Sequence, residues 1–235
     1  MKNQYFGDVN DYLKYGLLRC FAAAALRIGM CWMLTANDER SDGSKVKYLS
    51  NPEQWRRYDP NLFDDLAKAI QKRARHVRHA QRPTFLADAS FFNDLVPDDE
   101  QLREIWLTKA LTKLNGVDVL FFDPDNGIEV QSKPRGRTGS CKYLFWDEIQ
   151  RAWSQDSSLL IFQHFPRQNH ERYISRLVTD LARYVPGADV IPLITSNVVY
   201  LLARQPRHYV KTDTALEAIS RKWAGLVGNL AKRQS

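Results

Sequence analysis

Apolar residues recur along this chain in two patterns. In some segments they stand three and four positions apart, which predicts amphipathic helices; in others they form short apolar runs, which predict strands buried on both faces of a sheet. The first pattern predicts helices from near residue 11 to residue 28 and at 60–78, 99–114, 146–153, 169–185 and 212–233. The second predicts strands at 30–35, 84–87, 117–122, 158–163, 189–195 and 198–204. Helices and strands therefore alternate along most of the chain.

The last two predicted strands are joined by Ser196 and Asn197 alone. A link of two residues forces an antiparallel hairpin, because a parallel return needs a dozen residues or more. The earlier alternation favours a parallel sheet. The predicted fold class is therefore α/β, with a Rossmann-like open, mostly parallel sheet, a C-terminal antiparallel hairpin and helices on both faces. We expect a single domain over 1–235, with 36–60 and 130–143 as loop insertions near the functional site.

Composition narrows the class of protein. The chain has 235 residues, of which 44% are hydrophobic, enough for a sizeable core. Its formal net charge of +7 favours a polyanionic partner, with nucleic acid as the first candidate. The most apolar window, 17–34, contains Arg19 and Arg27, so neither a membrane span nor a signal peptide is predicted. Three cysteines without metal-ligand spacing indicate free thiols and a cytoplasmic location.

Polar side chains cluster where the strand at 117–122 ends, in Asp123-Pro124-Asp125-Asn126 followed by Gly127. Proline and Asn-Gly end a strand in a tight turn. Two carboxylates and an amide therefore lie at the carboxyl end of a parallel strand, where open α/β sheets bind ligands. His164 follows the next parallel strand near Arg167 and His170, as a base or a phosphate contact. Asp123, Pro124, Asp125, Asn126 and His164 are the candidate catalytic residues.

Basic segments offer contacts for an anionic substrate. The loop at 130–143 contains Gly136 and Gly139, and we expect it to act as a mobile clamp. The candidate nucleic-acid-binding residues are Lys133, Arg135, Arg137, Lys142 and Arg167. A second basic cluster belongs to the helix at 60–78 and its end: Lys72, Arg73, Arg75, Arg78 and Arg82. The polar loop at 37–43 has no G-x-G-x-x-G pattern, so no phosphate cradle is predicted there. A solvated surface is the alternative for the loop at 130–143.

The segment before the first helix resembles one group of S-adenosylmethionine-dependent methyltransferases. These are the large-subunit ribosomal RNA adenine-N6 methyltransferases and the related three-Cys-motif partner proteins. Phe6-Gly7-Asp8-Val9-Asn10-Asp11-Tyr12-Leu13-Lys14-Tyr15 is similar to the family's phenylalanine followed by Gly-Asn-x-x-Asp-Val-x-Lys-His. Gly7, Asp11 and Lys14 match, whereas Asp8 and Tyr15 replace the family's Asn and His. A terminal antiparallel hairpin is also typical of this superfamily.

Two further segments extend the resemblance. Phe85-Leu86-Ala87-Asp88-Ala89 is similar to the strand and Asp-Ala turn with which many methyltransferases accept the cofactor adenine. Asp123-Pro124 stands where the family has Asp-Pro-Pro-Tyr, with Asp125 and Asn126 in place of the second proline and the aromatic residue.

The resemblance implies a methyltransferase that uses S-adenosylmethionine and acts on nucleic acid, either RNA or DNA. The residues expected to contact the cofactor are Gly7, Asp8, Asp11, Lys14, Tyr15, Thr35 and Asp88. Asp123 would orient the atom that receives the methyl group. Phe165 or Tyr143 would stack on the flipped base in place of the family's aromatic residue.

Two other functions remain open. The carboxylates of Asp8, Asp11, Asp123 and Asp125 could converge on Mg²⁺, which takes oxygen ligands and leaves positions for phosphate, in a nuclease or phosphotransferase. The chain could instead be a catalytically degenerate methyltransferase fold that binds nucleic acid. The missing glycine-rich turn after the first strand favours this second alternative.

Overall fold

The computed structural model describes residues 1–38, 45–72 and 75–228. Most of the polar loop at 37–43, Arg73 of the second basic cluster and residues 229–233 of the last predicted helix lie outside the described residues. The prediction that this helix reaches residue 233 is wrong, because it ends at Lys222 and residues 223–226 form turns. Within the described ranges, no helix combines the length and the apolar character needed to cross a bilayer.

The strands of the described residues form a six-stranded and a two-stranded sheet. The strands are β1 Ile28–Cys31, β2 Ser90–Phe92, β3 Val119–Phe122, β4 Gly127–Ile128, β5 Tyr143–Leu144, β6 Ser158–His164, β7 Asp189–Ile194 and β8 Val198–Arg204. The larger sheet has the order β2-β1-β3-β6-β8-β7, in which the first four strands are parallel. Strand β8 lies antiparallel between β6 and β7. The prediction of an α/β fold with a mostly parallel sheet and a terminal hairpin is confirmed.

Helices cover both faces of this sheet. They are α1 Val9–Ala23, α2 Pro52–Trp55, α3 Pro60–Gln71, α4 Glu100–Lys113, α5 Trp146–Trp153, α6 His170–Tyr184 and α7 Tyr209–Lys222. Because successive strand residues point to opposite faces, Phe121 packs in the core with α1, α3 and α7, and Phe122 packs in the core with α4, α5 and α6. The sheet is thus the middle layer of three.

Several helices begin where a side chain accepts a hydrogen bond from the first turn. Asp8 accepts from the backbone N–H of Asp11 at the start of α1, and Asp99 caps α4 in the same way. Asp59 caps α3, whose first residue is a proline, and Asn169 caps α6. These caps satisfy amide groups that a helix end leaves unpaired, which explains why the starts of α3, α4 and α6 lie within one residue of their predicted positions.

The expected end of the first helix at Gly29 is wrong. Helix α1 ends at Ala23, and Gly29 lies inside strand β1. A Cβ atom at Gly29 would stand 2.9 Å from the Val117 side chain, so the glycine serves close packing between neighbouring segments. The strand predicted at 30–35 consequently begins earlier and ends at Cys31, before Met33, whose φ of 44° interrupts the extended conformation.

The strand predicted at 84–87 is also wrong. That segment forms turns, and the strand next to β1 is β2, in which Ser90 pairs with Gly29. Asp88, with a φ of 56°, therefore precedes its strand instead of following it. Since β1, β2 and β3 are parallel, Asp88 lies at the amino edge of the sheet, opposite the edge where Asp123 follows β3.

Helix α1 packs against the end of α7 through Gly16. A Cβ atom at this position would lie 1.9 Å from the ring of Trp223. We expect Gly16→Ala to lower the free energy of unfolding by about 1–3 kcal/mol through overpacking, although alanine favours an isolated helix over glycine by about 1 kcal/mol. Urea denaturation measures this, with Gln101→Ala on the exposed side of α4 as the control. A stabilised Gly16→Ala variant would contradict the packing.

Candidate functional site

A pocket of about 780 Å³ opens at the carboxyl ends of β3 and β6. It brings together predicted residues that are far apart in the sequence: Asp8, Asp11, Lys14, Asp123, Pro124, Asp125, Asn126 and His164. The start of α1 supplies one wall, and the turn after β3 supplies the floor. Carboxyl ends of parallel strands leave such a space because the chain must turn away from the sheet there.

Lys14 is the central charge of the pocket. Its Nζ lies 2.8 Å from Asp11 Oδ1 and 2.7 Å from Asp123 Oδ2, and the three side chains are each 2% exposed. Burial alone would lower the pKa of the Lys14 ammonium, but the two carboxylates raise it above its ordinary value. Burial raises the pKa of Asp123, although Lys14 acts in the opposite direction. The lysine is thus a fixed cation shared by α1 and the end of β3.

The segment before α1 holds Asp11 in place. Gly7, with a φ of 86°, donates its backbone N–H to Asp11 Oδ2 at 2.9 Å, and the Tyr15 hydroxyl donates to the same oxygen at 3.3 Å. Asp8 lines the pocket beside them. Burial, and then the neighbouring Asp11 carboxylate, raise the pKa of Asp8 to about 7. Asp8 therefore titrates near neutral pH.

The second carboxylate of the turn, Asp125, is also engaged. The Thr35 hydroxyl donates to Asp125 Oδ2, and the Met1 ammonium lies 2.6 Å from Oδ1. Burial tends to raise the pKa of Asp125, but the ammonium and the hydroxyl lower it below its ordinary value. Thr35, predicted to contact the cofactor, thus lies against the turn after β3.

Gln163, which sequence reasoning missed, fixes the shape of that turn. Its Oε1 accepts from the Ile128 backbone N–H at 2.7 Å, and its Nε2 donates to the His164 carbonyl at 3.1 Å. A Cβ atom at Gly127, whose φ is 98°, would lie 2.2 Å from this amide. The signal in the sequence is a polar residue at the end of an apolar strand, opposite an Asn-Gly turn.

His164 stands at the mouth of the pocket. Its ring meets the Phe162 ring edge-on, with centroids 4.7 Å apart. The His164 side chain is exposed at the mouth of the pocket. Protein atoms around the rest of the ring partly desolvate it, which lowers the pKa of His164, and the nearby Lys14 ammonium lowers it further. The imidazole is consequently neutral at pH 7 and can accept a proton or a hydrogen bond.

The loop at 130–143 differs from the predicted mobile clamp at its C-terminal end. Arg103, buried on α4, pairs with Glu148 at 2.6 Å and donates to the carbonyls of Ser140 and Tyr143. Asp98 accepts from the backbone N–H groups of Gly139 and Cys141 at 2.9 and 2.7 Å. This end of the loop is therefore tied to the body of the protein.

Arg135 is the predicted substrate contact that the structure least supports. It is 24% exposed, pairs with Asp147 and lies with its guanidinium 4.7 Å from the centre of the Phe145 ring. Lys133, Arg137 and Arg167 are exposed, and Lys142 is half-buried. None of these five residues lines the pocket among the described residues. Two sequence neighbours of Arg167, Pro166 and Gln168, do line it.

Asp88 is separated from the other predicted cofactor contacts. It lines a different cavity, of about 580 Å³, together with Arg19 and Arg27 near the amino end of β1. The predicted contact between Asp88 and a cofactor in the main pocket therefore does not fit the structure, because the resembling strand and turn are not formed there.

Asn10 is a pocket residue that the sequence did not single out. It is 7% exposed, and its Oδ1 is buried without a hydrogen-bond partner in the part of the chain that the structure describes. A buried polar atom without a partner is costly, and a bound ligand can satisfy it. Tyr173, Arg176 and Lys45 also line the pocket and were not predicted.

The four carboxylates expected to converge on Mg²⁺ are arranged differently. Lys14 lies between Asp11 and Asp123, and Asp125 contacts the Met1 ammonium and Thr35. Within the described residues, no group of three or more His, Cys, Asp or Glu side chains is placed to hold a metal ion. Cations of the chain itself contact three of the four carboxylates, those of Asp11, Asp123 and Asp125.

Comparison with known proteins adds no family to this geometry: no protein-family model and no curated protein matches the sequence.

Removing the Lys14 ammonium should leave two buried carboxylates without their cation. We expect Lys14→Met to lower the free energy of unfolding by about 3–5 kcal/mol at pH 7. The loss should shrink as pH falls, because protonation removes the uncompensated charge. Denaturation at pH 7 and pH 5 measures both effects. The double variant Lys14→Met/Asp123→Asn should recover part of the loss; an additive or larger loss would contradict a direct pair.

Asp8 should make stability depend on pH. Its pKa is raised from 3.8 to about 7, so the folded protein holds a proton that the unfolded chain releases between these values. The contribution of Asp8 to the free energy of unfolding is therefore lost as the pH rises from 3.8 to about 7. Asp8→Asn keeps a capping side chain and should be more stable than wild type above pH 7 by at least about 1.4 kcal/mol, the value of one pKa unit.

The matched control is Asp99→Asn, which makes the same change at the exposed cap of α4. Thermal denaturation across pH 4–8 compares the two variants. Equal pH profiles for wild type and Asp8→Asn would show that the Asp8 carboxylate is not buried at the site.

Proposed function

We propose that this chain is an S-adenosylmethionine-dependent methyltransferase that acts on nucleic acid. The proposal is carried by the place of Asp123-Pro124-Asp125-Asn126 in the sheet. The motif follows β3, the neighbour of β6, in a sheet whose last strand lies antiparallel between β6 and β7. This arrangement resembles the Rossmann-like methyltransferases, in which the turn at this position binds the methyl acceptor. Because one fold hosts many functions, the chemistry of the pocket must also agree.

The pocket residues suit the cofactor. A volume of about 780 Å³ lies in the range of small-molecule sites. S-adenosylmethionine, when bound, supplies a methyl group on a sulfonium. The Phe162 ring already holds one cation, Lys14 Nζ, at 5.2 Å from its centre and can face another. The unpaired Asn10 Oδ1 would accept a hydrogen bond from an ammonium group at the amino-acid end of the cofactor.

The turn after β3 can orient an acceptor. Lys14 holds Asp123 through Oδ2, and no described residue donates to Asp123 Oδ1. Asp123 Oδ1 and the exposed Asn126 side chain can therefore receive the hydrogens of an amino group and hold its lone pair toward the methyl group. Alignment of this kind supplies most of the acceleration in a direct transfer. Asp8, with a pKa of about 7, is suited to take the proton that the acceptor releases.

A second function is a nucleic-acid-binding protein without catalysis. The contacts of Asp125 favour it. The two carboxylate oxygens of Asp125 contact Thr35 and the Met1 ammonium, so this side chain stabilises the turn and is not free to bind a substrate. It is also favoured by the absence of an aromatic residue in Asp123-Pro124-Asp125-Asn126.

Calorimetry with S-adenosylmethionine and S-adenosylhomocysteine tests the proposal. We expect saturable binding with a dissociation constant below roughly 1 mM, weakened at least tenfold by Asn10→Ala. Asp88→Asn, at the opposite edge of the sheet, is the matched control and should bind as wild type. Absence of binding to the wild-type protein would overturn the proposal.

Transfer of a labelled methyl group to RNA or DNA then separates the two functions. Wild type should label one of these substrates, and Asp123→Asn should lower the rate at least a hundredfold because the acceptor loses its orienting carboxylate. Cofactor binding without transfer to either nucleic acid would favour the non-catalytic function.

A further inference from the structure

The mouth of the pocket carries a surface that we name the α6 rim: Phe165, Arg167, His170, Arg172 and Arg176. We propose that nucleic acid reaches the pocket as a single strand laid across the α6 rim. An unpaired base stacks on the Phe165–His170 pair, and phosphates contact the arginines. This inference rests on the proposed function and names the substrate class of the same site.

Helix α6 directs two arginines toward the same strip of surface. Asn169 caps the helix by accepting from the Arg172 backbone N–H at 2.9 Å. Arg172 and Arg176 are four residues apart, so their side chains are neighbours on one face. Arg176 lines the pocket together with Tyr173, and its guanidinium lies 5.5 Å from the centre of the Tyr173 ring. A strand that follows this face therefore passes the mouth of the pocket.

The charges of the α6 rim are free, unlike many arginines of this protein. Carboxylates pair with the following arginines of the described residues: Arg19, Arg27, Arg56, Arg103, Arg135, Arg151, Arg183, Arg204 and Arg207. Arg167, Arg172 and Arg176 are exposed and have no carboxylate partner within the described residues. The acidic residue next to Arg172 in the sequence is Glu171, which is also exposed on α6. Free guanidinium groups beside a pocket are suited to bind phosphate, since they can form paired hydrogen bonds to its oxygens.

An aromatic platform adjoins these charges. The rings of Phe165 and His170 are stacked, with centroids 4.1 Å apart and planes inclined by 14°. Phe165 is half-buried and lines the pocket, whereas His170 is exposed. Stacking of bases on such rings, next to cations that follow the backbone, is how proteins bind single strands without reading their sequence. In a duplex each base is already stacked and paired, so it cannot use this platform.

Fluorescence anisotropy with a labelled single-stranded RNA of about 12 nucleotides, within the site sizes of single-strand-binding domains, tests the α6 rim. Arg172→Gln/Arg176→Gln should weaken binding at least tenfold. The slope of log affinity against log salt should fall by about 1.4, because each lost phosphate contact to a single strand contributes about 0.7. Phe165→Ala should also weaken binding but leave the salt slope unchanged. Arg183→Gln, on the same helix and paired with Asp180, is the matched control and should change affinity less than twofold.

Three results would overturn the inference. They are wild-type affinity in Arg172→Gln/Arg176→Gln, equal affinity for the single strand and its duplex, and binding to anionic lipid vesicles without binding to RNA. Denaturation midpoints equal to wild type show that the variants are folded. Cofactor calorimetry distinguishes failure of this inference from failure of the proposed function. If the α6 rim variants lose RNA binding but still bind S-adenosylmethionine, the result concerns the α6 rim alone. If the wild-type protein binds RNA but not the cofactor, the result counts only against the methyltransferase.

Discussion

The ammonium group of Lys14 connects the first helix to the central strand, and the arrangement of the pocket depends on it. Lys14 lies within 3 Å of both the Asp11 and the Asp123 carboxylate, and the burial of these three charges is tolerated only when each has a well-placed partner. Gly7 and Tyr15 complete the hydrogen bonds of Asp11, and the Phe162 ring covers the cation. The entry of α1, the end of β3 and the wall formed by β6 are thus fixed relative to one another by a single side chain.

This constraint also bears on the chemistry that the pocket can perform. A lysine already shared by two carboxylates is no free base, and a carboxylate already paired is no free metal ligand. What remains available are one oxygen of Asp123, the amides of Asn10 and Asn126, the titrating Asp8 and the neutral ring of His164. Under the proposed function, this set would orient and deprotonate an uncharged amine.

The fold and half of the pocket could be read from the sequence because their signals are local. Apolar runs mark β3, β6 and β8, the two-residue link requires the hairpin, and Asp99 and Asn169 mark helix starts. The neighbourhood of Asp123 and His164 followed from a general rule about parallel strands. Lys14 was predicted through the resemblance alone, and its direct pairing with Asp123 joins residues 109 positions apart, which no local pattern indicates.

Other features could not be predicted because they are decided by tertiary packing. The spacing of α4 predicts Leu102 and Ile105 on its buried face, yet they are 57% and 52% exposed, since Arg103 takes the inner position to reach Glu148. A glycine after the apolar periodicity predicts a helix end at Gly29, but this glycine instead allows close approach to Val117. The sequence around Asp88 resembles the cofactor-binding motif, but strand β2 begins at Ser90, after Asp88, and not before it.

The hydroxyl of Tyr200 on β8 donates to the carbonyl of Asn10, across 190 residues, at 3.2 Å. Strand β8 also pairs Val198 with His164, at the end of β6 beside the pocket. A growing chain on the ribosome can form α1 early, but the walls around it remain incomplete until residue 204 has been made. Contacts of such long separation fold slowly. The charged side chains of Asp11 and Lys14 on α1 therefore stay exposed to water until the last strand is in place. The pocket is among the final parts of the molecule to form.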